Sequence, residues 1–289
     1  MIVMKYLKMM KLHHWVKNFL VFLPLVFSGQ LLRLPLVLSC TYAFLAFSLL
    51  SSVVYILNDI MDVENDRRHS VKRNRPIASG AVPLAAAWAV AGVLFALTVA
   101  VTLLAFPLEG FQWVFLLLYL VLNVAYSLGL KNRPILDIAI LSSGFIIRLL
   151  FGSVATGIVT SNWLYLTVLS MSLYLVLGKR RNEKRRQTED TRKVLTFYSY
   201  EFLDKFMFLF LGLTITFYSL WAIGFSTASG TGQPALVWTI PLVVIICMKY
   251  GLHLESNSEG DPVDVVLSDK LLLGLVLSYV LVLAGIIYL

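Results

Sequence analysis

The sequence predicts an all-α integral membrane protein, with about nine transmembrane helices in a single bundle and a cytoplasmic N-terminus. Three observations predict it. The first is composition: of 289 residues, 59% are hydrophobic and only 14% charged, and the mean hydropathy is +0.82. A soluble domain carries about 25% charged residues, so this chain has too little polar surface to cover itself in water. The second is segmentation. A spanning helix needs roughly 20 apolar residues, and the apolar stretches follow one another with no length left for a soluble domain, so residues 1–289 read as one domain. The third is the placement of charge, which alternates between loops.

The expected spans are residues 18–34, 37–58, 83–105, 111–128, 134–157, 161–178, 203–226, 235–252 and 271–289. The first is interrupted by Pro24 and closed by Arg33. Lys5, Lys8, Lys11 and Lys17 precede it in the manner of a signal peptide, but Gln30-Leu31-Leu32-Arg33 is no small-residue cleavage site, so an uncleaved first span is expected. The second is the best bounded, from Leu36 to Asp59. Pro107, Gly157 and the segment Gly230–Pro234 mark turns between later spans. Cys40 and Cys247 both fall inside apolar stretches, where they imply neither a disulfide framework nor a metal-ligand spacing.

Lys and Arg in short loops mark the cytoplasmic side. With the N-terminus inside, 22 of the 24 Lys and Arg residues lie in or at the edge of inner segments; Arg33 falls outside and Arg148 deep within a span. The net charge of +8 therefore reflects topology; the basic residues sit in alternate loops and form no contiguous face for nucleic acid. Of the 16 acidic residues, only Glu109 is assigned to the outer side. Orientation does not require that second asymmetry, so the inner face has a use for carboxylates.

The main signal is Asn58-Asp59-Ile60-Met61-Asp62-Val63-Glu64-Asn65-Asp66, which continues the second span. If the helix persists at about 100° per residue, Asp59, Asp62 and Asp66 lie within about 60° of one another, and Asn58 extends the face. Like charges this close weaken a helix, and Asp at a helix C-terminus opposes the macrodipole. A hard divalent cation with oxygen ligands compensates both, and magnesium completes its shell with water and substrate phosphate. The bland alternative is an acidic helix end solvated by water. Next comes Arg67-Arg68-His69-Ser70-Val71-Lys72-Arg73-Asn74-Arg75-Pro76. Cations beside a carboxylate–metal cluster suit a phosphate-rich ligand, with Lys72, Arg73 and Arg75 the candidates, although the positive-inside rule alone also puts basic residues here.

The Asn-Asp-x-x-Asp-x-x-x-Asp pattern, followed by Lys72-Arg73-x-Arg75-Pro76-Ile77, resembles the UbiA-type intramembrane prenyltransferases. Tyr126-Ser127-x-x-Leu130-Lys131, at the end of the fourth span, is similar to their Tyr-Ser-x-x-Leu-Lys element. The resemblance covers essentially the whole chain and implies a magnesium-bound diphosphate held at the cytoplasmic end of the bundle. The chain also departs from the common pattern. Ordinary members carry a second Asp-x-x-x-Asp motif at the end of the sixth helix, where this chain reads Gly178-Lys179-Arg180-Arg181-Asn182-Glu183-Lys184. Cations in that place should hold phosphate directly.

That replacement resembles the decaprenyl-phosphate phosphoribosyltransferase branch of the superfamily. Trp15-Val16-Lys17-Asn18, Ser143-Gly144-Phe145-x-x-Arg148 and Pro262-x-Asp264 add to the likeness. The branch implies transfer of 5-phosphoribosyl from 5-phosphoribosyl diphosphate (PRPP) to a polyprenyl monophosphate, releasing pyrophosphate, in cell-wall precursor biosynthesis at the inner (cytoplasmic) membrane. Two other readings compete. A conventional prenyltransferase, with a prenyl diphosphate donor and an aromatic or alcohol acceptor, predicts a second aspartate pair near residue 180. A transporter or lipid-binding scaffold predicts an inverted repeat with broken mid-membrane helices; the charged motifs here cluster at one face instead.

Under this reading Asp59, Asp62 and Asp66, with Asn58, hold Mg2+ on the diphosphate. Lys179 and Arg180, with Lys17 and Lys131, take the ribose 5-phosphate or the acceptor phosphate. Glu183 is open between a ribose hydroxyl and a neighbouring Arg, and Tyr126 between phosphate and the bundle core. Arg148, deep in the fifth span, is costly to bury and belongs to the interior or a wet cavity; catalysis and a structural hydrogen bond are both open. Asp137 is similarly divided between substrate contact and helix capping. His13 and His14 read as interfacial, and Asp261, Asp264 and Asp269 as a solvated loop or a secondary acidic site.

Overall fold

The computed structural model describes residues 2–185, 193–228, 235–255 and 261–289, and among them every regular element is a helix. The expected turn at Gly230–Pro234 lies outside the described residues. In chain order the α-helices are α1 (Ile2–Met10), α2 (Leu23–Phe27), α3 (Leu34–Met61), α4 (Val63–Arg68), α5 (Leu84–Ala105), α6 (Phe111–Leu128) and α7 (Leu136–Thr156). They continue as α8 (Asn162–Arg185), α9 (Tyr200–Ala228), α10 (Ile240–Glu255), α11 (Pro262–Ser268) and α12 (Lys270–Tyr288). Tighter 3-10 stretches occur at Leu12–Phe22, Lys72–Asn74, Leu130–Asn132, Lys193–Phe197 and Ala235–Thr239.

Helix boundaries follow local chemistry. α3 opens just past Arg33 with a proline in its first turn, where the missing N–H costs nothing. α7 ends on Gly157, whose φ of +69° is the left-handed cap that a side chain disfavours. Asp261 and Asp269 begin α11 and α12: their carboxylates accept from Val263 N, and from Leu271 N and Leu272 N.

Among the described residues, seven helices are long and apolar enough to cross a membrane: α3, α5, α6, α7, α9, α12, and α10 with the 3-10 stretch before it. Each overlaps an expected span. The two remaining expectations come out differently. The first span is a shorter apolar segment, Leu12–Phe27, mostly 3-10. The sixth is α8, which runs past the expected end at 178 and carries a polar, basic final turn. Large apolar side chains such as Leu104, Leu117 and Leu281 stand exposed along these helices, as they should where lipid, rather than water, is the solvent.

The chain forms two compact units. The first holds residues 1–140 and 147–159; the second holds 141–146 and 160–289. In the first, α3 is the central element. One side of it packs in a cluster with Val21, Leu25, Phe47, Leu50, Tyr119 and Phe151. A second cluster gathers Met9, Val53, Ile56, Ile77, Ala87 and Leu94. Gly152 on α7 lies so close to the Leu12–Phe22 stretch that a Cβ there would meet Val21 O at 1.9 Å. In the second unit, α8 packs along α9 and also meets α10, where a Cβ on Gly178 would come within 2.6 Å of Leu254 Cδ1.

Candidate active site

The acidic cluster forms where α3 ends. α3 stops at Met61, Asp62 takes a non-helical conformation (φ −96°, ψ 6°), and α4 starts again at Val63. The sequence reading assumed one continuous helix to Asp66. The backbone bonds from Asp62 N to Asn58 O (3.0 Å) and from Asp66 N to Asp62 O (2.8 Å) run on through the irregular turn at Asp62. Asp59 and Asp66 are brought together, because Arg75 Nη1 donates to Asp59 Oδ1 at 2.9 Å and to Asp66 Oδ2 at 2.7 Å. Lys11 Nζ donates to the same Asp59 Oδ1 at 2.9 Å. Asp62 pairs with the Lys131 ammonium. Ser127 Oγ donates to Asn58 Oδ1 at 2.9 Å. The Tyr-Ser-x-x-Leu-Lys element thus ties the end of α6 to the end of α3 at two points.

Asp59 and Asp66 are both buried. Burial pushes the Asp66 carboxyl above the usual carboxylate range, with Arg75 and Lys72 pulling the other way. Burial likewise pushes the Lys11 ammonium below its usual range, opposed by Asp59. Asp59 Oδ2 is buried with no hydrogen-bond partner. An orphaned carboxylate oxygen costs roughly 1–3 kcal/mol or more, and it is a hard donor of the kind magnesium takes. Among the described residues no group of three His, Cys, Asp or Glu side chains is arranged to hold a metal ion; the aspartates face Lys11, Arg75 and Lys131 instead. In donor type the set fits a divalent cation, with Asp59 Oδ2 as the open atom.

The other candidates of the first unit divide in two. Lys72 is half-buried beside Asp66, close enough to act on it electrostatically, while Arg73 is exposed. Lys17 is half-buried on the 3-10 stretch, and Tyr126 is buried on α6. Asp137 is fully buried in the first turn of α7. Arg148 belongs to a structural network. Its Nε donates to Asn18 Oδ1 at 2.7 Å and its Nη2 to Tyr119 Oη at 3.2 Å, and its guanidinium lies over the Phe47 and Tyr119 rings. Asn18 Nδ2 in turn donates to Ser48 and Ser51, and Trp15 Nε1 to Ser52. The Trp-Val-Lys-Asn element therefore clamps the 3-10 stretch to α3. The rings of His13 and His14 lie 4.1 Å apart and tilted, and His14 lies 5.3 Å from Tyr55, also tilted.

In the second unit, Arg180 is fully buried and donates to Glu183 Oε2 at 2.6 Å, so the structure pairs Glu183 with an Arg. Arg181 pairs with Asp204 and Glu255. Lys179 Nζ lies 3.3 Å from Asp261 Oδ2. The acidic loop resolves into helix caps and ion pairs: Asp261 caps α11, and Asp269 caps α12 while pairing with Lys249 and His253.

Lys11 and Ser127 carry no assignment from sequence reasoning. Lys11 looks like any positive-inside residue, since nothing in the sequence links position 11 to position 59; its backbone signature, a left-handed φ of +51°, exists only in three dimensions. Ser127 had a signal, because it lies inside the element that resembles the family's.

The UbiA prenyltransferase family matches residues 19–265 of the chain. The chain is 32% identical to the decaprenyl-phosphate phosphoribosyltransferase of Corynebacterium glutamicum, over 98% of this chain and 86% of that protein. It is 35% identical to the enzyme of the same description from Mycobacterium tuberculosis, over 94% of this chain and 91% of that one. Among solved structures, a UbiA homolog from Archaeoglobus fulgidus bound to GPP and Mg2+ superposes with a TM-score of 0.69 at 16% identity, covering 97% of both chains. The apo UbiA homolog from Aeropyrum pernix gives 0.61 at 16% identity, over 92% of this chain and 97% of that one.

Proposed function

The chain belongs to the UbiA prenyltransferase family, and we propose from that premise that it transfers 5-phosphoribosyl from PRPP to a polyprenyl monophosphate. The products are polyprenyl-phosphoryl-5-phosphoribose and pyrophosphate. Near-full-length identity to two decaprenyl-phosphate phosphoribosyltransferases supports the reaction. The observation that carries the choice of donor is the end of α8. There, in place of a second aspartate pair, stands a cationic turn with Arg180 fully buried and braced by Glu183.

Asp59, Asp62 and Asp66, with Asn58 beside them, are the residues that would hold magnesium. Bound there, the ion supplies Lewis-acid charge that stabilises pyrophosphate as a leaving group. Lys72, Arg73 and Arg75 follow in sequence and are assigned to the diphosphate oxygens, with Arg75 already at the carboxylates. Lys17, Lys131, Lys179 and Arg180 are assigned to the remaining phosphates, and Tyr126 stands beside Ser127 and Lys131 as a further polar contact. The acceptor phosphate is anionic and needs no general base. Its oxygen forms the new bond to the anomeric carbon as the bond to the diphosphate breaks, so the residues act by placement and charge balance. The site is assigned to the cytoplasmic face of the inner membrane on the positive-inside reading of the basic loops.

The test uses purified protein in detergent with magnesium, a polyprenyl monophosphate and PRPP labelled in the ribose. Label should enter the organic phase only with magnesium, and Asp62→Ala should abolish it. Product formed only from a polyprenyl diphosphate and 4-hydroxybenzoate would overturn the reading in favour of a conventional prenyltransferase.

A further inference from the structure

Lys11 stands where the backbone gives no reason for a lysine. It joins α1 to the 3-10 stretch with φ +51° and ψ +49°. Among the described residues only Lys11 and Ile135 take a positive φ without being glycine. That left-handed region is costly for a residue with a Cβ and open to glycine. Strain held beside a functional site directs attention to what the side chain does there.

The side chain reaches the acidic end of α3. Lys11 Nζ donates to Asp59 Oδ1 at 2.9 Å and lies 5.2 Å from the centre of the Tyr55 ring, one turn earlier on the same helix. Arg75 Nη1 donates to that same oxygen at 2.9 Å. One oxygen of Asp59 therefore carries two cations, while Oδ2 is buried with no hydrogen-bond partner. Across the cluster the charges balance: Lys11, Arg75 and Lys131 stand against Asp59, Asp62 and Asp66. A divalent cation added to a balanced, buried cluster meets repulsion from each cation left in place. It binds well only as a cation leaves the carboxylates.

Lys11 is the cation best placed to leave. Arg75 bridges Asp59 and Asp66, and Lys131 touches Asp62 rather than the carboxylate with the open oxygen. Lys11 touches Asp59 at the end of a flexible stem, with the Tyr55 ring as a second resting place. We propose that Lys11 is a stand-in for the metal: it neutralises Asp59 in the ion-free enzyme and gives up that carboxylate when magnesium binds. The acidic cluster then keeps its fold without the ion, and uptake of the ion is an exchange for Lys11. This rests on the reading of Asp59 as a metal ligand, and it makes Lys11 a positioning residue.

The test measures uptake of Mn2+ alone by the full-length protein in detergent, with no substrate present. Mn2+ takes the same oxygen donors as magnesium, and electron paramagnetic resonance counts the free ion. Lys11→Met should bind Mn2+ about tenfold more tightly than wild type, because no charged hydrogen bond has to be broken first. Lys11→Arg should stay near wild type. Lys5→Met removes the same charge from an ammonium that donates to Ala81 O at 2.9 Å, and it should leave the affinity unchanged. Thermal unfolding gives a second reading: with chelator Lys11→Met should melt earlier than wild type, and saturating Mn2+ should close the gap. Loss of a merely structural lysine would weaken uptake. Unchanged or weaker binding by Lys11→Met therefore overturns the proposal, as does equal tightening by Lys5→Met. Asp59→Asn tests the premise separately: uptake equal to wild type would remove Asp59 from the metal site, whatever Lys11 does.

Discussion

At the scale of single residues, the acidic cluster was legible because its chemistry is compact in sequence: Asn58, Asp59, Asp62, Asp66 and Arg75 lie within one loop and helix end. Lys11 meets Asp59, and Lys131 meets Asp62, across 48 and 69 positions of the chain, and no local spacing encodes that. Arg148 shows the opposite limit. Its burial was legible from an apolar surrounding sequence, but catalysis and structure could not be told apart until Asn18, Tyr119 and two aromatic faces appeared around it. If that network is its role, Arg148→Met leaves Asn18 and Tyr119 short of a buried partner and should cost about 2 kcal/mol. Thermal unfolding in detergent, read against transfer activity at a permissive temperature, checks it. Stability unchanged with activity lost would give Arg148 to the substrate instead.

At the scale of elements, hydropathy located the long helices closely. The sequence expected 111–128 for what is α6 (Phe111–Leu128), and 83–105 for what is α5 (Leu84–Ala105). It failed where periodicity stops being the controlling force. Asp62 leaves helical dihedrals inside an acidic run, and α8 runs on past its apolar part, where Glu183, Asp204 and Glu255 pair with its terminal Arg side chains. Close helix approach was invisible too, since a glycine inside an apolar run does not announce its neighbour. Two substitutions rank these approaches. Gly152→Ala drives a methyl into the backbone carbonyl of Val21 and should cost about 3 kcal/mol or more. Gly178→Ala meets only the end of the Leu254 side chain, which can rotate away, and should cost about 1 kcal/mol. Melting temperatures of the two variants in one detergent decide it; the reverse order would mean that α7 shifts more readily than Leu254 turns.

At the scale of the whole molecule, composition alone established that lipid is the solvent, and the exposed apolar side chains agree with it. α12 is the least buried of the long apolar helices, and Leu281 on it is 72% exposed. Leu281→Arg should therefore cost about 2–3 kcal/mol of insertion free energy and lower the membrane-integrated yield, while Leu281→Phe should leave it unchanged. Fractionation of membranes with an alkaline wash measures both. The segment before α3 makes a different point about residue counting. Leu12–Phe22 contributes 11 residues and α2 another 5, too few for a crossing by the ordinary count. A 3-10 winding, however, advances about 2.0 Å per residue against about 1.5 Å for an α-helix. The stretch then covers about 22 Å and α2 about 7.5 Å more, close to the roughly 30 Å of hydrocarbon in a bilayer. Wound more tightly, the segment has about the length of a crossing with about a fifth fewer residues than an α-helix needs, and a tally of crossings based on residue number passes over it.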